Sequence, residues 1–358
     1  MTELKTALIG CGRIGFLLEQ DPLRYKPCTH YGGARAAGLF VSHCCDINAE
    51  RRELFAEKAG IPPENRFRDY RDLLRRVRPE LVIIATWTGS HDAIAVEAAR
   101  NGARMIVLEK PMASSLSRCR RIITECSDQG TAIIINHERR YDSRYRKVKE
   151  LIGRGKIGEI KTVHASILTS GGGRPLHEEG GGPLLHDGTH LVDMLRYLFG
   201  EIIAVEGLFQ RTGRRSGYED RALAWLTTEH GVEVFLEAGG SRNYFVFELE
   251  ISGTEGKIVI GNGYEKLHRS RPSRFYSGFR DIAEVPFPSY KKKNCFCDLY
   301  LEAKRALNGK GPIASSGSDG YQALEVIHAI YLSAHRNKKP ITLPVDPRRI
   351  NLQKIFDL

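Results

Sequence analysis

An α/β chain, built as an N-terminal doubly wound parallel sheet (a Rossmann domain) followed by an α+β domain with an open, mostly antiparallel sheet, is the fold class that three observations predict. The chain has 358 residues, beyond the roughly 250–300 at which a single hydrophobic core stops growing. Short apolar runs alternate with helical periods as far as Arg140, the mark of βα units. Beyond Arg140, longer β-type stretches follow one another largely without helices, as antiparallel or mixed sheets do. Residues 1–140 and 141–358 are therefore the expected domains.

Each element follows from local pattern. Residues 5–15 read as a buried strand that ends in a glycine turn. A second strand, Leu39–Cys45, ends at Asp46, and Asn48–Ala59 has helical periodicity that stops at Gly60. Helix Tyr70–Val77, strand Leu81–Thr86, helix Asp92–Asn101, strand Met105–Leu108, helix Leu116–Gln129 and strand Thr131–Asn136 complete a five-stranded alternation. Helix Tyr145–Arg154 then precedes β-type stretches at Ile160–Leu168, Ile202–Gln210, Ala222–Thr227, Glu233–Gly239, Phe245–Ser252 and Gly256–Gly261. A Gly-rich segment, Gly171 through Gly182, leads into a helix at Thr189–Phe199, and a last helix spans Tyr321–Arg336.

Composition narrows the function classes. Charged residues make up 27% of the chain, near the globular average, so disorder is not its dominant state. The net charge of +11 comes with twice as many arginines as lysines, which suits bidentate contacts to carboxylates and phosphates. The longest basic run, Lys291-Lys292-Lys293, is too short for a nucleic-acid arm, and no nucleic-acid-binding motif accompanies it. Eight cysteines without a CxxC pair read as reduced thiols of a cytoplasmic protein, and Cys295-x-Cys297 alone does not complete a metal site. No run of 18 apolar residues and no cleavable apolar leader is present, so neither a membrane span nor secretion is expected.

The first chemical motif is Gly10-Cys11-Gly12-Arg13-Ile14-Gly15. In this pattern one glycine makes the turn, one lets the backbone approach a pyrophosphate, and one packs helix on strand. Asp46, ending the second strand, can accept hydrogen bonds from the adenosine ribose and repel a 2′-phosphate, so NAD is expected over NADP. Helix capping is the other role open to it. Asp46 stands 31 residues after Gly15, where the fingerprint has about 20. The excess falls in Phe16–Thr29, and Arg24, Tyr25 and Lys26 within it are expected to border the substrate, or else to lie on a surface loop or subunit contact. Glu109-Lys110-Pro111 follows a strand directly, which places a lysine able to bond a substrate hydroxyl and exchange its proton.

With Gly10–Gly15, Asp46, Ala85-Thr86-Trp87-Thr88-Gly89-Ser90-His91 and Glu109-Lys110-Pro111 in this order, the sequence resembles the glucose-fructose oxidoreductase and inositol dehydrogenase family (Gfo/Idh/MocA). Asn136-His137-Glu138-Arg139-Arg140 and Gly180 through Asp193 extend the resemblance. It implies hydride transfer between nicotinamide and a carbinol or ketone carbon of a sugar, cyclitol or nucleotide-sugar, with Lys110 and an Asp/His pair handling the proton. It also implies a homodimer or homotetramer. Thr86, Trp87, His91 and Glu109 fall near the cofactor by this resemblance, Arg174 is placed to meet an anionic substrate, and Arg139, like Arg140, either anchors such a substrate or holds the two domains together.

The chain departs from many members where their aspartate lies four residues before the histidine. His186 stands there, and Asp187 lies three before His190. Separations of three and four share a helical face, so His186, Asp187 and His190 are all catalytic candidates. Asp187 can equally be a helix N-cap. A catalytically altered NAD(H)-binding sensor is the alternative that this departure raises.

Overall fold

The computed structural model describes residues 4–169, 182–211, 218–240 and 242–356. The chain divides into two compact units, residues 1–142 with 293–322, and residues 143–292 with 323–358. The first unit therefore ends close to Arg140, but the expected second domain is interrupted, because 293–322 returns to the first unit.

The first unit alternates β1 (Thr6–Ile9), α1 (His30–Ala36), β2 (His43–Cys45), α2 (Ala49–Ala59), β3 (Arg66–Phe67), α3 (Tyr70–Val77), β4 (Leu81–Ile84), α4 (His91–Arg100), β5 (Met105–Leu108), α5 (Leu116–Asp128) and β6 (Ala132–Ile135). All six strands are parallel, in the order β3-β2-β1-β4-β5-β6. Strands β1, β4 and β5 are buried at every position, as unbroken apolar runs covered on both faces must be. Side-chain caps start the helices: Asn48 accepts the Arg51 N–H, Asp69 that of Arg71 and Ser115 that of Arg118. The strand order reverses beside β1, which opens a crevice at the strands' carboxyl ends.

The excess between Gly15 and Asp46 is a loop let into the first helix. The His30 N–H donates to Ile14 O and the Tyr31 N–H to Gly15 O, both at 3.0 Å, so the helical path resumes after the excursion. Thr29 caps α1, and Glu19 closes the base of the loop by accepting from the Cys28 N–H at 3.0 Å and the Thr29 hydroxyl at 2.7 Å. A regular helix thus begins at His30 rather than at the glycine turn.

The second unit contains α6 (Ser143–Gly153), β7 (Ile160–Leu168), α7 (Pro183–His186), α8 (Gly188–Phe199), β8 (Ile202–Gln210), β9 (Arg221–Thr228), β10 (Glu233–Gly239), β11 (Val246–Gly253), β12 (Gly256–Gly261), β13 (Tyr264–Pro272) and β14 (Arg280–Val285). The chain then runs α9 (Cys295–Leu307) in the first unit, α10 (Gly317–His335), β15 (Ile341–Thr342) and α11 (Leu352–Phe356). The sheet has nine strands, in the order β14-β13-β12-β11-β7-β10-β9-β8-β15, antiparallel except for the β7/β10 pair. Alternate residues of β9 (Ala222, Ala224, Leu226, Thr228) and β10 (Val234, Leu236, Ala238) are buried, while Trp225 and Phe235 stand on the open face.

Candidate active site

In the glycine turn, each glycine has its own reason. Gly10 has φ +99°, and a Cβ there would lie 2.5 Å from Ala85 O. A Cβ on Gly15 would lie 2.1 Å from Gly10 O, whereas over Gly12 it would meet only Arg51 Nη1, at 3.9 Å. The backbone over Gly12 is thus open to a ligand, flanked by a cation, and fits a pyrophosphate. Asp46 anchors this turn: its Oδ2 accepts the Cys11 N–H and its Oδ1 the Asn48 N–H, both at 2.8 Å. Each oxygen keeps a further lone pair for a ribose hydroxyl. Arg13 and Ile14 lie within the same turn.

Arg24, Tyr25 and Lys26 lie at the tip of the inserted loop, exposed to solvent, with Tyr25 at 79%. Arg24 pairs with Asp21 at 3.4 Å, which offsets part of the positive charge expected there. Beyond β4, the Thr86 hydroxyl accepts from Ser90 at 2.9 Å, and Trp87 is more than half exposed.

The side chains of His91 and Glu109 turn inward to hydrogen bonds of their own. The His91 ring is fully buried and its nitrogens face Pro111 O at 3.0 Å and Thr86 O at 3.1 Å, so it ties two strand-end loops together. Burial pushes its pKa down. Glu109 is buried: its Oε1 accepts from His30 Nε2 at 2.8 Å and Asn136 Nδ2 at 2.5 Å, and its Oε2 from the Lys110 N–H at 3.1 Å. Burial alone would push this carboxyl up. The hydrogen bond and charge of His30, aided by Lys110 and Asn136, outweigh it and hold the pKa at about 2.

Lys110 itself is half-buried at the end of β5. Glu138, on the next strand's exit turn, senses the charges of both Lys110 and Glu109, and desolvation pushes its carboxyl up. Arg139 is half-buried on the same turn. Arg140 is consumed within the unit, donating to Ala314 O at 2.6 Å and pairing with Asp319 at 2.9 Å. Sequence reasoning missed His30 and Tyr300, whose hydroxyl lies 2.7 Å from His30 Nδ1 across 270 residues of chain. The i, i+3, i+4, i+7 pattern of Phe296, Leu299, Tyr300 and Ala303 was the available signal for α9.

In the second unit, α7 runs almost without interruption into α8, the Asp187 N–H donating to Pro183 O at 2.9 Å. From Leu184 to Val192, His186, Asp187 and His190 are the half-exposed positions, while Leu184, Leu185, Gly188, Thr189, Leu191 and Val192 are buried. The three therefore share one helical face, as expected. Asp187 takes the N-cap position of α8, yet its side chain makes no capping bond.

Glu219 supports this helix start. Its Oε1 accepts the Leu184 N–H at 3.0 Å and the Tyr331 hydroxyl at 2.8 Å, and its Oε2 is buried with no partner among the described residues. A Cβ on Gly182 would stand 2.3 Å from that oxygen, so only glycine fits. Burial pushes the Glu219 carboxyl up to about 7, the two hydrogen bonds opposing it only in part. Arg174 lies outside the described residues.

This arrangement has known counterparts. The NAD-binding Rossmann domain of the GFO/IDH/MocA oxidoreductase family matches residues 4–137, and that family's C-terminal domain matches residues 145–259. The chain belongs to this family of oxidoreductases, and its first unit is the family's NAD-binding Rossmann fold. It is 29% identical over 353 residues to the scyllo-inositol 2-dehydrogenase (NAD(+)) of Bacillus subtilis, covering 96% of this chain and 97% of that one. To the D-apiose dehydrogenase of Rhizobium rhizogenes it is 25% identical over 346 residues, covering 93% and 96%. Its fold matches the WlbA dehydrogenase of Bordetella pertussis, crystallised with NADH and UDP-GlcNAcA, at a TM-score of 0.76 and 23% identity, covering 96% of this chain and 100% of that one. No helix among the described residues is long and apolar enough to cross a membrane.

Proposed function

We propose that the chain is an NAD-dependent dehydrogenase that oxidises, or in reverse reduces, one carbinol carbon of a sugar, cyclitol or nucleotide-sugar. The observation that carries this reading is Lys110 at the end of β5, next to a buried and ionised Glu109, in a Rossmann domain whose glycine turn is open over Gly12. The bound nicotinamide supplies the hydride acceptor or donor. Gly10, Gly12, Arg13, Ile14, Gly15 and Asp46 hold the dinucleotide through backbone N–H groups and the ribose. Thr86 and Trp87 border its nicotinamide end. Lys110 bonds the reacting oxygen, and His190, with His186 and Asp187 on the same helical face, carries the proton to and from solvent.

An anionic substrate is supported by the arginine excess, with Arg24, Tyr25, Lys26, Arg139 and Arg174 as its contacts. Trp225 and Phe235 on the open sheet face support a homodimer or homotetramer, and eight unpaired thiols support a cytoplasmic setting. The test is to follow NADH absorbance in rapid mixing with scyllo-inositol, D-apiose and a UDP-sugar acid in both directions. NADH formation or consumption with at least one of them is expected. Binding of NADH with no turnover on any of a broad set of sugars and cyclitols would replace this reading with that of a sensor.

A further inference from the structure

The hydrogen-bonded group around Glu109 is more than helix packing requires. Helix α1 already meets α9 by close apolar contact, since a Cβ on Gly33 would lie 2.8 Å from that of Phe296. Yet an ionised carboxylate is buried here among His30, Asn136 and Tyr300, all at 2% exposure or less. A buried charge is generally less favourable than an apolar substitute of the same volume. What distinguishes its position is Lys110, the next residue, whose own N–H donates to the same carboxylate at 3.1 Å.

The geometry is also arranged so that the carboxylate never loses its donor. The His30 Nε2 that faces Glu109 carries a proton in the imidazolium and in one neutral tautomer. At the other nitrogen, the Tyr300 hydroxyl can donate to the neutral ring or accept from the charged one. Tyr300 itself stays a phenol, because burial and the charge of Glu109 push its ionisation well above the ordinary range. Either protonation state of His30 therefore leaves Glu109 bonded and in place.

We propose that His30 and Tyr300 are positioning residues for the oxidoreductase chemistry: with Asn136 they keep Glu109 fixed against the Lys110 turn, and its carboxylate, bonded to the Lys110 N–H, holds that turn in the place from which the lysine side chain acts. The proposal rests on the reading of Lys110 as the group that bonds the reacting oxygen. The charged and titratable groups facing Glu109 are His30 from α1, Tyr300 from α9, Lys110 from its own strand end and Glu138 from the turn after β6.

The test uses the full chain and no substrate, so a failure of the dehydrogenase reading and a failure of this one are separable. The rate of Lys110 acylation by a trace of acetic anhydride at one fixed pH, taken relative to the exposed lysines and read by mass spectrometry, follows the placement of its side chain. In Glu109→Gln that relative rate is expected to change by about threefold or more, since a neutral amide holds the Lys110 N–H less strongly than the carboxylate does. In His30→Leu, burial is opposed only by Asn136 and Lys110, and the Glu109 δ-carboxyl followed by ¹³C NMR should titrate higher than in the unaltered protein; His30→Gln, which keeps a donor, should restore part of the difference. Should His30→Leu not fold, Asn136→Ala removes another donor and is read in the same way. An unchanged relative acylation rate of Lys110 in folded Glu109→Gln, or a Glu109 titration that ignores the loss of either donor, overturns the proposal.

Discussion

Glu109 and Glu219 are the same residue type, both buried, and each supports a candidate catalytic segment of its own unit, yet their ionisation is shifted in opposite directions. Glu109 has donors on both oxygens, one of them a histidine, and is held at about 2. Glu219 has two neutral donors on one oxygen and, among the described residues, none on the other, and is pushed up to about 7. Burial works against the charge in both cases, so the partners decide the outcome. One unit thus presents a permanent anion beside a lysine, and the other a carboxyl that gains or loses its proton near neutrality under the helix that bears His186 and His190.

The pH consequences are opposite as well. Glu109, held below the ordinary carboxyl value of 4.5, contributes stability above pH 4.5 that is lost as pH falls through about 2. Glu219, raised above 4.5, contributes stability below pH 4.5 that is lost as pH rises through about 7.

The largest expected effect separates chemistry from support. Lys110→Met should lower turnover at least about 100-fold, the lower range for a general acid or base, while NADH binding followed by fluorescence stays nearly unchanged. Next, Glu219→Gln keeps an acceptor without a titratable proton. It should abolish the part of the stability loss between pH 4.5 and 7 that this carboxyl causes, about 3 kcal/mol, measured by urea unfolding across that range. Tyr331→Phe removes one of the two donors to Glu219. It should cost about 1.5–3 kcal/mol at pH 8, where the carboxyl is ionised, and less at pH 5. Arg24→Ala, on the exposed loop, should change stability by less than about 0.5 kcal/mol and raise the KM for an anionic substrate without altering NADH affinity.

Much of the Rossmann unit was legible because its strands are fully buried apolar runs between capped helices: Tyr70–Val77 and Met105–Leu108 fall where the pattern put them. Strand β3 was not, since two residues, Arg66 and Phe67, carry no period. The β13/β14 hairpin escaped because it is mostly exposed and charged, with Leu267 its one buried side chain. Helix α10 starts at Gly317, earlier than its composition suggests, where Asp319 accepts from the N–H and hydroxyl of Ser316.

In the site, Lys110 and the glycine turn were visible as local motifs. His30 and Tyr300 were not, because their meaning lies in contacts with Glu109 and with each other across long stretches of chain. Nor can spacing reveal that Glu109 and His91 turn inward to hold the loops.

The contrast between the two glutamates is tested most directly by ¹³C NMR of protein labelled at the glutamate δ-carbon, titrated from pH 3 to 9. One resonance, lost in Glu109→Gln, should remain at the ionised position throughout, and another, lost in Glu219→Gln, should titrate with a midpoint near 7. Two resonances that both titrate close to the ordinary 4.5 would contradict the account.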